Sequence, residues 1–358
     1  MDIIIADQHG KEKAFLTDYE SLDIEVNDFG EKGNDNTGNT FELKMDRKTS
    51  EKYSLGIYDY IFCPGTEYGG IIEGTQVITN SEEVIWFGTT FRGLMSQCIY
   101  TRRTIWRRNE ELNSVLKKIM SNGTDACNLF QVSDEDSGII VKRPWTGKYY
   151  KKSELIFRTL KNLKPSRRIE IKTIQGGVNE PFQLELTTKE VQNYEEELQY
   201  SQDNKIPATI TNDKTGITHL IALNKKKNGN IETLNIWLDY KGDAVIGNDP
   251  GDFPGIKSKT SFVEFTSSLE EPEDEVVEEI EVEKDFLEKA LAEFDKLKHK
   301  MSMKINEVGD INAEIGDIIS GHDLTTNLSI SEPIVGKIIR FEKNGSVSIE
   351  TKTEGSKQ

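Results

Sequence analysis

Carboxylates are the commonest groups in this sequence that could do chemistry, but their spacing singles out no catalytic pair. The 358 residues include 62 acidic and 45 basic ones, so neighbouring carboxylates occur along most of the chain. Glycoside hydrolysis requires two carboxyl groups that face each other across a cleft, which sequence spacing alone does not show. Residues 248–252 offer oxygen ligands but lack the spacing of a calcium-binding EF-hand, and Pro250 and Gly251 favour a loop.

Nucleophilic and metal-dependent chemistry finds no support in the spacing of serine, cysteine or histidine. The sequence contains no Gly-x-Ser-x-Gly elbow, no His-Glu-x-x-His pair and no phosphate-binding P-loop. Its three cysteines, Cys63, Cys98 and Cys127, are far apart and lie far in sequence from the four histidines. This pattern predicts free buried thiols rather than a zinc site. We therefore predict that the chain is not an enzyme, with no catalytic, cofactor-binding or metal-binding residues and no cofactor.

Aromatic and basic residues leave two binding alternatives open. The tryptophans Trp86, Trp106, Trp145 and Trp237 are suited to stacking on sugars, although such residues more often pack in cores or interfaces. Residues 102–108 form the most basic stretch, which suits a nucleic-acid contact, a solvated turn between domains or an ion-pair partner in an acidic chain. The formal net charge of −17 argues against nucleic acid as the main partner, because nucleic acid attracts positive surfaces.

Membrane association is not expected either. No apolar run approaches the ~20 residues that span a bilayer. The first residues lack the basic and apolar segments of a signal peptide. An acidic chain is also repelled by anionic membranes.

Short apolar runs in the first part of the chain predict the strands that would position these residues. Such runs occupy residues 3–5, 22–26, 41–45, 58–62 and 84–87. Glycine- and asparagine-rich stretches separate them, which predicts an antiparallel sheet or barrel over residues 1–103. In residues 22–26 apolar and acidic side chains alternate, so one face of this strand should contact water.

Helical patterns dominate the next part of the chain. Leu112, Val115, Leu116 and Ile119 recur at the spacing of one helix face, with Asn109 as the expected N-cap. A second helix is predicted over residues 153–163, just before Pro165. We interpret residues 104–190 as a mixed α/β domain with two helices.

The remainder of the chain alternates between strand and helix patterns. Strands are predicted at residues 169–174, 208–211, 218–223, 233–238 and 305–352, with a hairpin turn at 225–230. Residues 270–285 hold ten acidic side chains and lead into an apolar helical stripe that ends at Leu297. We interpret residues 246–304 as an acidic linker plus a helix. Residues 191–245 together with 305–358 are predicted to form a second β-barrel.

Two short motifs carry a resemblance to a known family. Gly69–Gly74 and Gly316–Gly321 share the pattern Gly-x-Ile-Ile-x-Gly, and an apolar strand follows each. The first, with residues 84–88 and Arg92-Gly93-Leu94-Met95, resembles the N-terminal barrel of bacteriophage tail hub proteins. Residues 314–323 and 331–341 resemble the terminal barrel segment of the same family.

The resemblance implies an α+β, mostly β fold, with two tube-like antiparallel β-barrels and inserted mixed α/β and helical domains. It implies a structural hub at the tip of a phage or phage-like tail, a homotrimer that joins a sixfold tail tube to a spike. The implied partners are the tail tube or distal tail protein on one face, the spike or tip protein on the other, and further baseplate proteins. DNA would pass through the central channel, and the protein would be made in the host cytoplasm and reside in the virion tail.

The alternative function is a cell-wall-associated hydrolase or carbohydrate-binding module of a prophage. Hydrolysis of cell-wall substrates by the purified chain would favour that alternative, whereas a trimer without hydrolysis would favour the hub. For the hub we further expect Asp and Glu to outnumber Lys and Arg on the surface that faces the threefold axis; the alternative is that the acidic excess lies in residues 270–285 on the outer face and serves only solubility. Such a surface would repel phosphates in a narrow channel.

Overall fold

The computed structural model of the protein is dominated by antiparallel strands. It describes residues 1–353 apart from 30–37, 78, 101–108, 122–127, 143–149, 162, 177–179, 195–198, 201–207, 226–230, 240–241, 252–258, 267–274, 299, 308–312 and 324–327. Contacts between residues divide the chain into two compact units. The first comprises Met1–Ile210 and Met303–Ser356, and the second comprises Thr211–Ser302.

The strands of the first half of the chain are short, and many have one buried face. They are β1 (Ile4–Ala6), β2 (Glu12–Phe15), β3 (Ser21–Asn27), β4 (Thr40–Asp46), β5 (Tyr60–Phe62), β6 (Gly69–Val77), β7 (Glu83–Thr90), β8 (Ile99–Tyr100), β9 (Glu110–Glu111), β10 (Phe130–Val132), β11 (Ile140–Val141), β12 (Tyr150–Lys151), β13 (Arg167–Ile174) and β14 (Gln183–Glu190).

The second half contains longer strands, and five helices complete the described structure. The strands are β15 (Gln199–Tyr200), β16 (Ala208–Asp213), β17 (His219–Lys225), β18 (Ile231–Leu238), β19 (Ala244–Ile246), β20 (Thr260–Thr266), β21 (Lys300–Glu307), β22 (Ile318–Asp323), β23 (Leu328–Glu342) and β24 (Val347–Thr353). The helices are α1 (Arg47–Tyr53), α2 (Phe91–Gln97), α3 (Leu112–Met120), α4 (Lys152–Leu160) and α5 (Glu275–Leu297).

One large sheet organises the first unit, with strands in the order β21-β24-β23-β3-β4-β7-β6-β5-β1-β2. Its register follows the alternation of side chains along each strand. In β3, Leu22 and Ile24 are buried and pair with Phe341 and Ile339 of β23. The acidic residues between them remain partly exposed, as the sequence predicted for this strand.

Helices α2, α3 and α4 pack with β13 and β14 into one apolar core. Phe182 stands at its centre, with ring centroids 4.6 Å from Phe62, 5.1 Å from Tyr60 and 5.9 Å from Phe91. The buried side chains of this core run from Ile4 to Leu186. The core is therefore continuous across residue 103, where the sequence predicted a domain boundary.

The second unit is a four-stranded sheet covered by a helix. The strands have the order β19-β18-β17-β20, with β17 and β20 parallel. Leu220, Ala222, Ile236 and Leu238 are buried with Phe286, Ala290 and Phe294 of α5 in its core. The helical stripe at the end of α5 and the β17–β18 hairpin match the sequence predictions, while the hairpin turn at 226–230 lies outside the described residues.

The mostly β composition is confirmed, but the two closed barrels are not. Among the described strands no sheet closes on itself. The N-terminal strands and the C-terminal strands instead share one sheet, because β23 extends the alternating apolar face of β3. The predicted boundaries at 103/104 and 190/191 fall within the first unit. The four predicted domains as independently folding pieces stay a prediction.

The two predicted helices of residues 104–190 are present as α3 and α4. The expected N-cap Asn109 is wrong, because α3 begins after Glu111. The carboxylate of Glu111 accepts hydrogen bonds from the backbone nitrogens of Asn113 (2.9 Å) and Ser114 (2.7 Å). A glutamate can cap a helix in this way when its side chain folds back on the first turn.

Candidate functional site

The strongest candidate site is a network of buried ion pairs in the first unit, and Arg92 is its first centre. Arg92 lies on α2 and is only 2% exposed. Its Nε donates to Oε2 of Glu67 at 2.6 Å and its Nη1 to Oδ1 of Asp28 at 3.2 Å. Nη2 donates to the carbonyl oxygen of Ile169 at 3.3 Å, and the guanidinium lies 5.4 Å from the Phe29 ring centroid. Every side of the guanidinium is thus engaged by the protein.

Electrostatics hold Arg92 in its charged form. Burial acts to lower the pKa of Arg92, but the carboxylates of Glu67 and Asp28 outweigh burial and the pKa is raised. Glu67 is itself 8% exposed, so this pair is shielded from water. Removing one partner of such a pair leaves an uncompensated charge, which costs about 3–5 kcal/mol.

Asp317 is the second centre, and it is fully buried. Its Oδ1 accepts hydrogen bonds from Nε of Arg168 at 2.8 Å and from the backbone nitrogen of Gln192 at 2.9 Å. Its Oδ2 accepts from the backbone nitrogen of Glu314 at 2.8 Å. Asp317 therefore ties β13 and the segment after β14 to the start of β22.

The glycine before Asp317 explains the second sequence motif. Gly316 has φ +96°, a conformation that side chains disfavour. A Cβ at this position would also lie 2.8 Å from the Cβ of Arg168. Gly316 thus lets Arg168 approach and turns the chain so that Asp317 meets it.

Glu314 joins the two centres to the C-terminal strands. Its carboxylate pairs with Nζ of Lys337 at 3.0 Å, and Lys337 is 2% exposed on β23. Glu314 also contributes to the raised pKa of Arg92. A further pair, Lys352 with Glu25 at 3.1 Å, links β24 to β3.

A pocket of about 80 Å³ lies at this network. Arg92, Glu314, residues 65–68 and residues 168–172 line it. The backbone nitrogen of Thr173 donates to the carbonyl oxygen of Thr66 at 2.9 Å, which fixes the loop to β13. The described lining contains no serine, cysteine or histidine, and its arginines are held by carboxylates. This arrangement joins chain segments and offers no activated nucleophile.

The glycines of β6 and β7 serve close strand packing. A Cβ on Gly70 would lie 2.1 Å from the Thr89 carbonyl oxygen, and one on Gly88 would lie 1.9 Å from that of Ile71. Strands β6 and β7 can approach only without these side chains.

The two described tryptophans contact neighbouring side chains of the protein itself. Nε1 of Trp86, which is buried, donates to Oγ of Ser50 at 3.0 Å. Trp237 stacks on His219 with ring centroids 3.6 Å apart. The basic stretch at 102–108, with Trp106, and also Trp145 lie outside the described residues.

The expectation of three free thiols is wrong for one cysteine. Cys63 is free and buried, and burial raises the pKa of its thiol to about 12. Cys98 is disulfide-bonded. Spacing could not predict this bond, because pairing depends on the fold.

No metal site or membrane span is found in the described part of the chain. Within it, no cluster of three or more histidine, cysteine, aspartate or glutamate side chains is placed to hold a metal ion. No helix among the described residues is long and apolar enough to cross a bilayer. At 248–252, Asp249 accepts a hydrogen bond from the backbone nitrogen of Gly251 at 2.9 Å, as a turn requires.

The sequence motifs contain some residues of this ion-pair network but did not predict how they pair. Arg92 and Asp317 belong to the two segments that carried the family resemblance, but their partners were not predicted. Arg168 and Asp317 are 149 residues apart, and Arg92 and Glu67 are 25 apart. The one local signal is glycine beside charge, in Arg92-Gly93 and Gly316-Asp317.

Comparisons with known proteins identify the fold. No protein-family model matches the sequence, and no curated protein matches it. The tail protein from Neisseria meningitidis MC58 aligns with TM-score 0.52 and 10% identity, over 99% of this chain and 96% of that one. The 43 kDa tail protein of prophage MuSo2 from Shewanella oneidensis aligns with TM-score 0.52 and 9% identity, over 98% of both chains. The chain therefore has the fold of phage tail proteins, as the resemblance implied.

Proposed function

We propose that this chain is a structural protein of a phage or phage-like tail, located in the virion tail at the baseplate or tail tip. The observation that carries this proposal is the fold shared with two tail proteins over almost the whole length of each chain. Because the structural similarity extends over both compact units, it is not limited to one shared domain.

Within the tail, we propose that the chain is the hub, a homotrimer that adapts the sixfold tube to a narrower tip. Identical subunits usually assemble with closed symmetry. A threefold ring can match a sixfold tube, because every sixfold axis is also a threefold axis. The tail tube or distal tail protein would bind one face, the spike or tip protein the other, and further baseplate proteins the periphery. The internal pairing of Arg92, Asp317 and Lys337 supports a rigid structural role over a catalytic one.

For the channel we propose a surface that does not hold DNA. Across β21, β24, β23, β3 and β4, basic side chains on one sheet face pair with acidic ones. The pairs are Lys304 and Arg340 with Glu350, Lys352 with Glu25, and Lys44 with Glu42. Cations already paired in this way offer little to phosphates, because counterion release requires free basic groups. With a net charge of −17, we expect acidic groups to exceed basic ones around the threefold axis.

The mass of the purified chain in solution tests the hub. One chain is 40.6 kDa, so three times that mass is expected by light scattering or native mass spectrometry. The trimer would be contradicted by a purified chain that stays monomeric at the concentrations at which tails assemble. It would also be contradicted by finding one or six copies at the tip of isolated tails.

Activity and DNA binding are tested on the same preparation. We expect no hydrolysis of cell-wall substrates and no retention of double-stranded DNA at physiological salt. A hydrolysis that a single carboxylate substitution abolishes would favour the enzyme alternative. Retention of DNA would remove the proposed channel surface but leave the trimer intact.

A further inference from the structure

Strand β6 continues well beyond the neighbour that covers its edge. It pairs with β5 only over Gly69–Ile71, and the last contact is a 2.7 Å hydrogen bond from the Tyr58 nitrogen to the Ile72 oxygen. Beyond Glu73, which the register skips, residues 74–77 pair with β7 on one side. No described residue pairs with them on the other side. About 17 Å of main chain, at ~3.4 Å per residue, is thus without a partner among the described residues, and we call residues 73–77 the open edge.

The fold itself separates β5 from β6 at this point. A β-bulge between Ile72 and Gly74 bends β6 away. On the other side, Tyr58 adopts φ +73°, which is unusual for a residue with a side chain. Carboxylate bonds hold this turn, since Asp59 accepts from the Gly56 nitrogen at 2.9 Å and from Lys13 Nζ at 2.8 Å. The edge is therefore open because of a defined geometry.

Glu73 and the β-bulge protect only the start of the open edge. Residues 74–77, Gly-Thr-Gln-Val, carry no charge and no proline, whereas edges are usually protected by lysine, proline or a covering segment. Val77 is 47% exposed, and Phe87 of β7 is 44% exposed beside Gly74. In a chain with a net charge of −17, the uncharged residues 74–77 are also a place where two copies approach with little repulsion.

We propose that a second copy of this chain adds a strand to residues 73–77 of β6 in the assembled trimer. This proposal rests on the proposed trimer and names its contact surface. Pairing of this edge with itself would give a twofold dimer, so a threefold ring needs a different edge from the neighbour. Strand β2 ends the same sheet and pairs only with β1 among the described strands. Its Phe15 is 55% exposed, and we assign β2 as the donated strand.

Hydrogen exchange on the wild-type trimer tests the proposal without any substitution. Alternate residues of a strand point their N–H groups to opposite sides, so only one of Thr75 and Gln76 donates toward β7. In the trimer both amides should exchange slowly, because the neighbour protects the second one. Rapid exchange of either amide within a stable trimer would overturn the proposal.

Proline substitutions provide the second test. Thr75→Pro and Gln76→Pro each remove one backbone N–H, and one of these two groups points to the open side. The variant that loses that group should keep its fold and behave in solution as a 40.6 kDa monomer. Phe15→Pro on β2 should do the same, because the Leu16 nitrogen donates to the Ile3 oxygen of the neighbouring segment and alternation points the Phe15 N–H to the open side. Ala244→Pro, on the edge strand β19 of the second unit, is the matched control and should remain trimeric. Folded Thr75→Pro and Gln76→Pro proteins that both remain trimers would overturn this contact.

The failures of the two proposals are distinguishable. A wild-type chain that is not a trimer overturns the proposed hub and this contact together. A wild-type trimer with an unprotected β6 edge overturns the contact alone.

Discussion

The two compact units hold their charged residues in different places. In the first unit, Arg92, Asp317 and Lys337 are each at most 2% exposed and each carries an ion pair. In the second unit, the core consists of apolar side chains from β17, β18 and α5. A described ion pair there, Lys225 with Glu264 at 2.6 Å, has both side chains nearly half exposed.

This difference relates to how far apart in sequence the joined segments are. The first unit brings together segments separated by up to 327 residues, as in the pair Lys352–Glu25. Buried pairs contribute little net stability compared with apolar packing, but a wrong arrangement would leave a charge unpaired. We infer that the first unit uses its buried charges to fix which segments meet. The second unit closes over short connections and relies on packing.

The largest expected effect comes from Arg92. Replacing it in Arg92→Met leaves the shielded carboxylate of Glu67 without its cation, and should lower the free energy of unfolding by about 3–5 kcal/mol. Urea unfolding measures the loss, and hydrogen exchange should localise it to peptides of the first unit. Arg340→Met, at a pair whose arginine is 40% exposed, is the control and should cost far less.

The double variant Arg92→Met with Glu67→Gln sharpens this test. Removing both charges should restore part of the lost stability, because the carboxylate that still lacks its cation is then Asp28, which is 39% exposed to water. Equal losses for Arg92→Met and Arg340→Met would show that burial of the pair is irrelevant to its strength.

Lys152 should make the stability of the first unit depend on pH in the alkaline range. Lys152 is fully buried, and its Nζ donates to the carbonyl oxygen of Met120, at the end of α3, at 2.8 Å. Burial lowers its pKa from 10.5 to about 8. Between these values the unfolded chain binds more protons, so the free energy of unfolding should rise as pH increases from about 8 to 10.5.

The total rise is up to about 3 kcal/mol, since one pKa unit corresponds to about 1.4 kcal/mol. Other lysines and tyrosines titrate in the same range. The measurement is therefore the difference between wild type and Lys152→Met across this pH interval. A difference that does not change with pH would contradict a lowered pKa at Lys152.

Gly316→Ala should have an intermediate effect on the first unit. The new methyl group combines a strained φ of +96° with a contact 2.8 Å from the Cβ of Arg168. A loss of about 2 kcal/mol in unfolding free energy is expected. Gly345→Ala is a matched control, because Gly345 has φ +81° but nothing within 4 Å of an added Cβ. If both variants lose the same stability, strain alone accounts for the glycine and Arg168 plays no part.

Local patterns predicted the local elements of both units. The 3.6-residue stripe predicted α3, and the alternation at residues 22–26 predicted β3 with one wet face. The seven-residue helix α2 was not predicted, since so short a segment shows little periodicity. The pairing of β23 with β3 was not predicted either, because both alternate in the same way and nothing local says which strand pairs with which.

The candidate site was harder to predict than the fold. Lysine and arginine are normally exposed, so sequence gives no reason to bury Arg92 or Lys337. Their burial depends on carboxylates supplied by distant segments. The local signs are the glycines beside Arg92 and Asp317, and for Gly316 the reason is the close approach of Arg168.

The smallest effect should come from the exposed pair of the second unit. In the wild-type protein the side chain of Glu264 is already 45% exposed. In Lys225→Met, water can therefore solvate its carboxylate when the lysine is lost. The unfolding free energy should change by less than about 0.5 kcal/mol, and salt should reduce even this difference. Urea unfolding at low and high salt measures it, with Glu264→Gln as the partner control. A loss as large as that of Arg92→Met would remove the contrast between the two units, because exposed and buried pairs would then be equally important.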